Sequence, residues 1–596
     1  MSASNEKIAS VGKNIQDKAT LIWNVANSLF GAFKPHEYGL VILPMTVIKR
    51  FHDCLLPTHQ KVLDTYESIK GLAVKDGFLK TAAGYQFYNT SKFTFDTLRA
   101  DPENIEDNFR AYINGFSTNV QDILARMNFN ACIDRMAEAG CLYQVVVDFC
   151  SEKADMRPDR VSAVDMGYVF ENLVQRFSES YDEEAGAHFT SRDIIYLMCD
   201  LLVSGDKTAF TDDDGISRTV YDMTMGTSQM LTCMEERLKQ LDNNADVTCF
   251  GQELNPFTYG IAKADMLIRG GDPDNMQFGD TLDDDKFEGY QFSYCISNPP
   301  FGIDWKREAA KVEAEAKRGA AGRFGVGLPS KSDGQMLFLL NGVSKLKPQG
   351  RMAIIQNGSS LFTGDAGSGQ SEIRKYLIEN DWLDAIVQLP NDSFYNTGIA
   401  TYIWIITKDK PDEHIGKVQL IDASQCFEAR RKSIGSKRVD ISDACRDLIV
   451  KAYGEYHTED YETQTDSGKT IVCKSKVLDG IDLGYSKVVV ESPLLNGDSS
   501  VILKKGKPVA DTSKRDTETI PLAEDIDEYI KREVLPYNPN AWVDKSKTKI
   551  GYEIPFTRTF YEYKPIEPAA DIAKRIEEHE RVLMERLHNL FGKEGE

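Results

Sequence analysis

Between residues 161 and 407 the chain alternates short apolar runs, each ending in turn residues, with longer amphipathic stretches. This alternation is typical of βαβ units, in which helices join parallel strands and pack on the faces of the sheet. Because the carboxyl ends of parallel strands lie along one edge of the sheet, polar residues that follow these runs are predicted to meet there. The pattern therefore predicts an α/β fold with a mainly parallel sheet.

The segments on either side of this region have different patterns of apolar and polar residues. Residues 1–165 carry apolar residues at helical spacing and predict an all-α N-terminal domain. The α/β domain is predicted to cover residues 166–425, and residues 426–596 to form a more polar C-terminal extension that ends in a helix at about 569–591. The apolar stripe of that helix consists of Ile572, Ile576, Leu583, Leu587 and Leu590. Such a stripe suits either packing on its own domain or binding of a partner helix.

Composition restricts the function classes. The 596 residues include 70 Lys and Arg against 92 Asp and Glu, and the net charge of -22 argues against holding a polyanion by bulk charge. No apolar run of about 18 residues or more and no signal core occur, which predicts a chain outside the membrane and in the cytoplasm. The 11 cysteines form no Cys-x-x-Cys pair and suit reduced thiols, and no metal site is predicted.

The most specific motif is Asn298-Pro299-Pro300-Phe301, which follows the apolar run 292–297. A strand that stops at two prolines leaves a side-chain amide and a donor-free backbone at the carboxyl edge of the sheet. The carbonyl oxygens of Asn298 and Pro299 can accept both N–H groups of an adenine amino group, which favours a pyramidal, nucleophilic nitrogen, and Phe301 can stack on the base. Because a paired base cannot enter such a pocket, this chemistry requires base flipping.

A nucleoside-binding site is predicted upstream of this motif. Asp222 ends one short apolar run, a turn at 223–229 follows, and Glu253 ends the next run, a spacing that fits one βαβ unit. In a dinucleotide-type fold the first turn approaches the ligand and the acid that ends the second strand binds ribose hydroxyls. Asp280 follows the third run and can reach the adenine amino group of a nucleoside cofactor.

The order of these motifs resembles that of the modification subunits of Type I restriction-modification systems, which are adenine-N6 DNA methyltransferases that use S-adenosylmethionine. The motifs that carry the resemblance are Gly-Gln-Glu-Leu-Asn-Pro at 251–256, Gly-Asp-Thr-Leu at 279–282, Asn-Pro-Pro-Phe-Gly at 298–302, Phe-Tyr-Asn-Thr-Gly-Ile-Ala-Thr at 394–401 and Lys-Ile-Gly-Tyr-Glu-Ile-Pro-Phe-Thr-Arg at 549–558. The resemblance covers nearly the whole chain. It implies a Rossmann-like S-adenosylmethionine-dependent methyltransferase domain with an all-α N-terminal domain and a C-terminal helical extension.

The resemblance also implies which residues form the site. The catalytic residues would be Asn298, Pro299, Pro300 and Phe301. The residues that would bind the cofactor are Ala187, His188, Phe189, Thr190, Ser191, Arg192, Asp222, Gly226, Thr227, Ser228, Gln229, Glu253 and Asp280. Among them, the segment 186–192 resembles the family's Gly-Gln-Tyr-Phe-Thr-Pro-Arg stretch, which precedes the first strand and wraps the methionine end of the cofactor.

The turn after Asp222 departs from the family's usual Asp-Pro-x-x-Gly-Thr-Gly-Gly. Met223 stands in place of proline, and Ser228 and Gln229 stand in place of the last two glycines. A side chain there would crowd the cofactor if the backbone needs a positive φ or a close approach. Two alternatives to an active DNA methyltransferase therefore stay open: a catalytically weakened or non-catalytic structural subunit of such a complex, and a methyltransferase that acts on protein glutamine or RNA.

Residues 306–331 contain seven basic and three acidic residues. This stretch is typical either of a solvated helix and loop or of an element that contacts DNA phosphates beside the flipped base. The predicted contacts are Lys306, Arg307, Lys317, Arg318 and Arg323. The resemblance implies that two such subunits join one specificity subunit, which reads the DNA sequence, and that a restriction subunit completes a larger complex. The acidic chain is therefore predicted to bind DNA weakly alone and more strongly after assembly.

Overall fold

The structure is a computed structural model of the chain. It describes residues 25–162, 165–167, 169–170, 173, 190–206, 216–395, 397–465, 467–497, 500–563 and 567–591. The predicted cofactor residues Ala187, His188 and Phe189 lie outside the described residues. The chain divides into two compact units, Met1–Ile554 and Pro555–Glu596. Among the described helices, none is both long and apolar enough to span a membrane.

The N-terminal part of the first unit is helical. Its helices are α1 (Gly39–Leu55), α2 (His59–Ser68), α3 (Asp76–Ala83), α4 (Phe95–Arg99), α5 (Ile105–Asn114), α6 (Thr118–Arg126), α7 (Phe129–Glu138) and α8 (Leu142–Asp148). Helix α1 is mostly apolar in its first half and is buried at every position except Leu40, as expected of a helix at the centre of a helical domain. The predicted all-α character of this part is confirmed.

The α/β region is built on a ten-stranded sheet. Its strands, with the hairpin β9–β10 that forms a separate two-stranded sheet, are β1 (Ser217–Asp222), β2 (Asp246–Glu253), β3 (Met276–Phe278), β4 (Phe292–Ser297), β5 (Leu346–Asn357), β6 (Leu383–Gln388), β7 (Thr401–Thr407), β8 (Lys417–Asp422), β9 (Glu428–Ile434), β10 (Lys437–Asp440), β11 (Glu459–Gln464) and β12 (Thr470–Asp479). The strand order is β11-β12-β8-β6-β7-β5-β4-β1-β2-β3. The five neighbouring strands β3, β2, β1, β4 and β5 are parallel to one another. Strand β7 lies between β5 and β6 and runs antiparallel to both. The predicted α/β fold with a mainly parallel sheet is confirmed.

Helices cover this sheet. They are α9 (Arg192–Ser204), α10 (Gln229–Leu241), α11 (Pro256–Arg269), α12 (Ala309–Ala316), α13 (Gln335–Ser344), α14 (Ser359–Phe362), α15 (Gly369–Glu379) and α16 (Asp443–Glu455). Helix α11 belongs to two cores: Ile261 and Leu267 pack with the N-terminal helices, and Ala262 and Met266 pack with the sheet. Because β2 leads directly into α11, the N-terminal helices are attached to the strand that ends in Glu253.

The sheet continues beyond residue 425, where the sequence predicts the end of the α/β domain. Strand β12 pairs with β8, and β11 pairs with β12, so both extend the same sheet. A small antiparallel sheet that was not predicted follows. The remaining elements of the first unit are β13 (Gly484–Glu491), β14 (Leu503–Lys504), β15 (Lys507–Pro508), β16 (Asp516–Pro521), α17 (Ile526–Tyr529), β17 (Trp542–Val543) and β18 (Lys549–Tyr552). Strand β13 lies at the centre of the small sheet and pairs with β16, β17 and β18.

The second unit contains α18 (Phe556–Thr559) and α19 (Ala569–Phe591). Helix α19 forms where the apolar periodicity predicts it. Of its apolar stripe, Ile572, Ile576, Leu583 and Leu587 are between 37% and 57% exposed. A partner for this helix stays a prediction.

Candidate active site

The carboxyl ends of neighbouring parallel strands bring four predicted residues to one edge of the sheet. Asp222 is the last residue of β1, Glu253 is the last residue of β2, and Asn298 directly follows β4. Asp280 follows β3 after one intervening residue. Strands β2 and β4 lie on opposite sides of β1, so the strand order reverses here, and such switch points are where open α/β sheets bind their ligands.

The Asp222 carboxyl group connects the ends of β1 and β4. Its Oδ1 accepts hydrogen bonds from Ser297 Oγ at 2.7 Å and from the Thr224 backbone N–H at 3.0 Å. Burial raises the pKa of Asp222 to about 7, although these two hydrogen bonds oppose the shift. Ser297 was not predicted as a site residue, and the signal that was available is its position as the last, polar residue of an otherwise mostly apolar strand.

Asp222→Asn is expected to remove a pH dependence of stability. Because the pKa of Asp222 is raised from 3.8 to about 7 in the folded protein, this carboxyl stabilises the fold most below about pH 4 and loses that contribution as pH rises through about 7. Each tenfold change in the acid dissociation constant corresponds to about 1.4 kcal/mol. Asparagine resembles the protonated acid and does not titrate. Urea unfolding from about pH 4 to about pH 8 should show the variant gaining stability relative to the wild-type protein. If the free energies of unfolding of the variant and the wild-type protein differ by the same amount at every pH, the raised pKa of Asp222 is contradicted.

The turn after β1 is held to the end of β2. The Gly226 N–H donates to Glu253 Oε2 at 2.8 Å, and the Asn255 N–H donates to Glu253 Oε1 at 2.8 Å. Gly226 has a φ of +52°, a backbone conformation that glycine adopts at no steric cost. A Cβ added there would meet nothing within 4 Å, so the turn borders open space. Burial raises the pKa of Glu253, and Thr227 is buried in the same turn.

The two side chains that stand in place of the family's glycines contact other residues of the protein. Ser228 has a φ of +66° at the start of α10, and its Oγ lies 3.5 Å from Asp265 Oδ2 on α11. The positive φ that raised the concern about crowding is therefore present at this position. Gln229 Oε1 accepts a hydrogen bond of 2.7 Å from Arg192 Nη2. Both side chains are buried, and their partners lie on α11 and α9.

The Asn-Pro-Pro-Phe segment is held from two sides. Asn298 is only 7% exposed, and its Nδ2 donates to Thr190 Oγ1 at 2.8 Å. Thr190 and the buried Ser191 directly precede α9. Phe301 meets Phe394 edge to face, with ring centroids 6.4 Å apart. The sequence did not identify Phe394 as a site residue, because it comes from the connection between β6 and β7, far away along the chain.

The remaining residues of the site border this segment. Pro299 is buried and Pro300 is half-buried. Asp280 Oδ1 accepts a hydrogen bond from the Leu282 N–H at 2.9 Å. The pKa of Glu308 is raised, first by burial and then by the Asp280 charge among other causes, so the start of the basic stretch lies close to Asp280.

Arg323 is bound within the protein. Its Nε and Nη2 donate to the Glu315 carboxylate at 2.9 and 2.8 Å, and Nη1 donates to Asn341 Oδ1 at 3.0 Å. The carbonyl oxygens of Thr281 and Leu282 accept the two remaining N–H groups. Because all five donors of the guanidinium are used within the protein, we predict a structural role for Arg323. Its contact with DNA stays an untested prediction.

The other predicted DNA contacts lie on the surface. Lys306 pairs with Asp304 at 2.9 Å, and Arg318 lies 3.7 Å from Glu288. Arg307 and Lys317 are exposed. Their contact with DNA stays a prediction.

Two family models match the chain. Residues 162–482 match the family described as N-6 DNA Methylase, and residues 19–149 match the HsdM N-terminal domain. The chain belongs to the N-6 DNA methylase family. This membership confirms the relationship that the order of the motifs predicts.

Similar proteins agree with this membership. The chain is 28% identical over 296 residues to the Type I restriction enzyme MjaIX methylase subunit of Methanocaldococcus jannaschii, which is 49% of this chain and 50% of that protein. It is 26% identical over 323 residues to the HindI methylase subunit of Haemophilus influenzae, which is 53% of this chain and 65% of that protein. The alignments thus span about half to two thirds of these curated relatives.

The fold is also found in a solved structure. The methyltransferase subunit of a type I restriction-modification system from Streptococcus thermophilus superposes with a TM-score of 0.60 at 22% identity, covering 79% of this chain and 97% of that one. The two chains therefore share their fold.

Proposed function

We propose that this protein is the modification subunit of a Type I restriction-modification complex and transfers a methyl group from S-adenosylmethionine to N6 of a flipped-out adenine in DNA. One observation carries the proposal. In a chain of the N-6 DNA methylase family, Asp222, Glu253 and the Asn-Pro-Pro-Phe segment lie together at the carboxyl ends of three neighbouring parallel strands.

The residues at this edge fit S-adenosylmethionine. The open space beside Gly226 can accept the cofactor, Glu253 ends the strand whose acid binds ribose hydroxyls in this type of fold, and Asp280 offers a carboxylate to the adenine amino group. Asp222 and the segment 190–192 would lie toward the methionine end. When bound, the cofactor supplies a methyl group activated by its sulfonium.

Asn298 would prepare the adenine nitrogen for transfer. Because its Nδ2 donates to Thr190, its Oδ1 is the amide atom that accepts an N6 hydrogen, while the Pro299 carbonyl oxygen accepts the other. This arrangement would leave the nitrogen lone pair free to accept the methyl group that the bound cofactor supplies, and one N6 proton would pass to water. Most of the rate enhancement would come from positioning. Since Asn298 is buried, the adenine must leave the duplex to reach it.

The partners follow from the same proposal. They are DNA, a specificity subunit, a second copy of this chain and, in the larger complex, a restriction subunit. The exposed apolar stripe of α19 is a surface suited to another subunit. The net charge of -22 is consistent with DNA binding that depends on assembly, because neutralisation of phosphates requires positive charge in the complex.

Transfer of labelled methyl groups tests the proposal. The protein is mixed with the specificity subunit, labelled S-adenosylmethionine and duplex DNA, and the expected product is N6-methyladenine in DNA. Label in protein or in added RNA instead would assign a different acceptor. Calorimetric titration with S-adenosylmethionine is performed in parallel, and the absence of both heat and thermal stabilisation in the complex would support a non-catalytic structural subunit.

A further inference from the structure

The hairpin formed by β9 and β10 is strongly basic. Residues 428–440 contain five basic and two acidic residues, a local net charge of +3 in a chain of -22. The sequence pattern did not single out this segment, and the mechanism above does not use it. Its position beside the candidate active site suggests a role.

Lys437 anchors the hairpin from the inside. Its side chain is buried, and its Nζ lies 3.0 Å from Asp193 Oδ2 and 3.1 Å from the Ser393 carbonyl oxygen. Asp193 is in the first turn of α9, three residues after the Thr190 that binds Asn298. The hairpin is therefore fixed to the segment that orients the catalytic amide.

The backbone of the hairpin also packs on the segment that carries Phe394. The Ser436 N–H donates to the Tyr395 carbonyl oxygen at 2.7 Å, and the Arg438 N–H donates to the Asp392 carbonyl oxygen at 2.9 Å. Gly435 has a φ of +54°, and a Cβ at this position would clash with the Tyr395 carbonyl oxygen. Because Phe394 contacts Phe301, one short segment separates the hairpin from the Asn-Pro-Pro-Phe motif.

Three of the hairpin's cations form no ion pair with the residues that the structure describes. Arg430 pairs with Asp440, and Lys437 is buried. Arg431, Lys432 and Arg438 are exposed, and no carboxylate in the described part of the chain pairs with them. In the stretch 306–331, by contrast, ion pairs hold Lys306, Lys311, Arg323 and Lys331. Arg307 and Lys317 of that stretch are exposed as well, and no ion pair holds them among the described residues. The free positive charge of the hairpin is joined to the Asn-Pro-Pro-Phe segment through Phe394 and Asp193.

We propose that Arg431, Lys432 and Arg438 contact the DNA phosphates that flank the flipped adenine, an inference that rests on the proposed function. An extruded base keeps its place in the strand, so the phosphates on either side must pass close to the pocket. Cations without counter-ions gain most from such contacts, because phosphate neutralisation releases condensed counter-ions from DNA. The hairpin would thus bind the backbone without reading its sequence.

The test compares two triple variants in the complex with the specificity subunit. R431A/K432A/R438A removes the three cations, and K504A/K505A/K507A removes three exposed lysines around the β14–β15 hairpin, so both change the charge equally. The first variant is expected to weaken duplex binding at least about tenfold near physiological salt. The negative slope of log affinity against log salt should become shallower by about 2 to 3. Its affinity for S-adenosylmethionine and its turnover at saturating DNA should stay within about threefold of wild type. The lysine variant should keep the wild-type slope.

Equal changes of slope in both variants, or no change in either, would overturn the phosphate contact. If R431A/K432A/R438A weakens binding to RNA of the same sequence but not to duplex DNA, the DNA contact is overturned as well, and the hairpin is assigned to RNA binding. DNA binding is measured by fluorescence anisotropy, separately from methyl transfer. If the arginine variant shows the reduced salt dependence but the wild-type complex methylates no DNA, the proposed activity is overturned and the phosphate contact stands. Normal methylation with equal slopes would overturn only the contact.

Discussion

Asn298→Ala is expected to reduce methyl transfer by about 10³-fold or more, equivalent to about 4 kcal/mol of transition-state stabilisation. The substitution removes the amide oxygen that would accept an N6 hydrogen, and alanine offers no acceptor in its place. Affinity for S-adenosylmethionine should stay within about threefold, because the carboxylates of Asp222 and Glu253 are unchanged. Single-turnover transfer of labelled methyl groups and calorimetric titration measure the two effects.

The matched control is Asn380→Ala, which makes the same change at an exposed asparagine after α15. We expect it to leave transfer and cofactor affinity unchanged. An equal loss of transfer and of cofactor affinity in Asn298→Ala would mean that Asn298 holds the cofactor rather than the base. Retained transfer would contradict its catalytic role altogether.

Arg323→Ala is expected to lower the free energy of unfolding by about 3–5 kcal/mol. The Arg323 side chain is only 10% exposed, and its removal leaves the Glu315 carboxylate without its ion-pair partner. The carbonyl oxygens of Thr281 and Leu282, in the segment after Asp280, also lose their donors. Urea denaturation followed by tryptophan fluorescence measures the loss.

Arg318→Ala provides the comparison, because that side chain is 53% exposed and lies 3.7 Å from Glu288. Surface ion pairs contribute about 0–1 kcal/mol, so this variant should unfold close to the wild-type protein. If Arg323→Ala instead keeps wild-type stability and weakens DNA binding, Arg323 is a phosphate contact after all.

The main part of the fold could be predicted because its signals are local. Short apolar runs and amphipathic stretches mark β1 to β5 and most of their helices, since strands of a parallel sheet covered by helices are largely apolar and a helix that packs on a sheet is usually apolar on one face. The reversed strand β7, and the strands β11 and β12 that extend the sheet beyond β8, could not be predicted. An apolar run has the same composition whether it pairs parallel or antiparallel, and its direction depends on which strand lies beside it.

Some residues of the candidate site could be predicted from local sequence signals, and others could not. Asp222, Glu253, Asp280 and Asn298 could be selected from the sequence because each comes at or just after the end of an apolar run. Phe394 could not, because its contact with Phe301 joins segments that are more than 90 residues apart. The hydrogen bonds of Arg323 could not be predicted either, because most of its partners come from α12 and the segment after β3.

By itself, the sequence determined the α/β class, the helical N-terminal part and the chemical groups at the strand ends, because periodicity and residue type act over a few neighbouring positions. Only the tertiary structure decided which positive charges are available. Arg323 forms an ion pair, whereas Arg431, Lys432 and Arg438 form none with the residues that the structure describes, although all four have the same formal charge. Coulomb interactions depend on the distances between charges in space, and those distances are set by how segments far apart in the chain pack together.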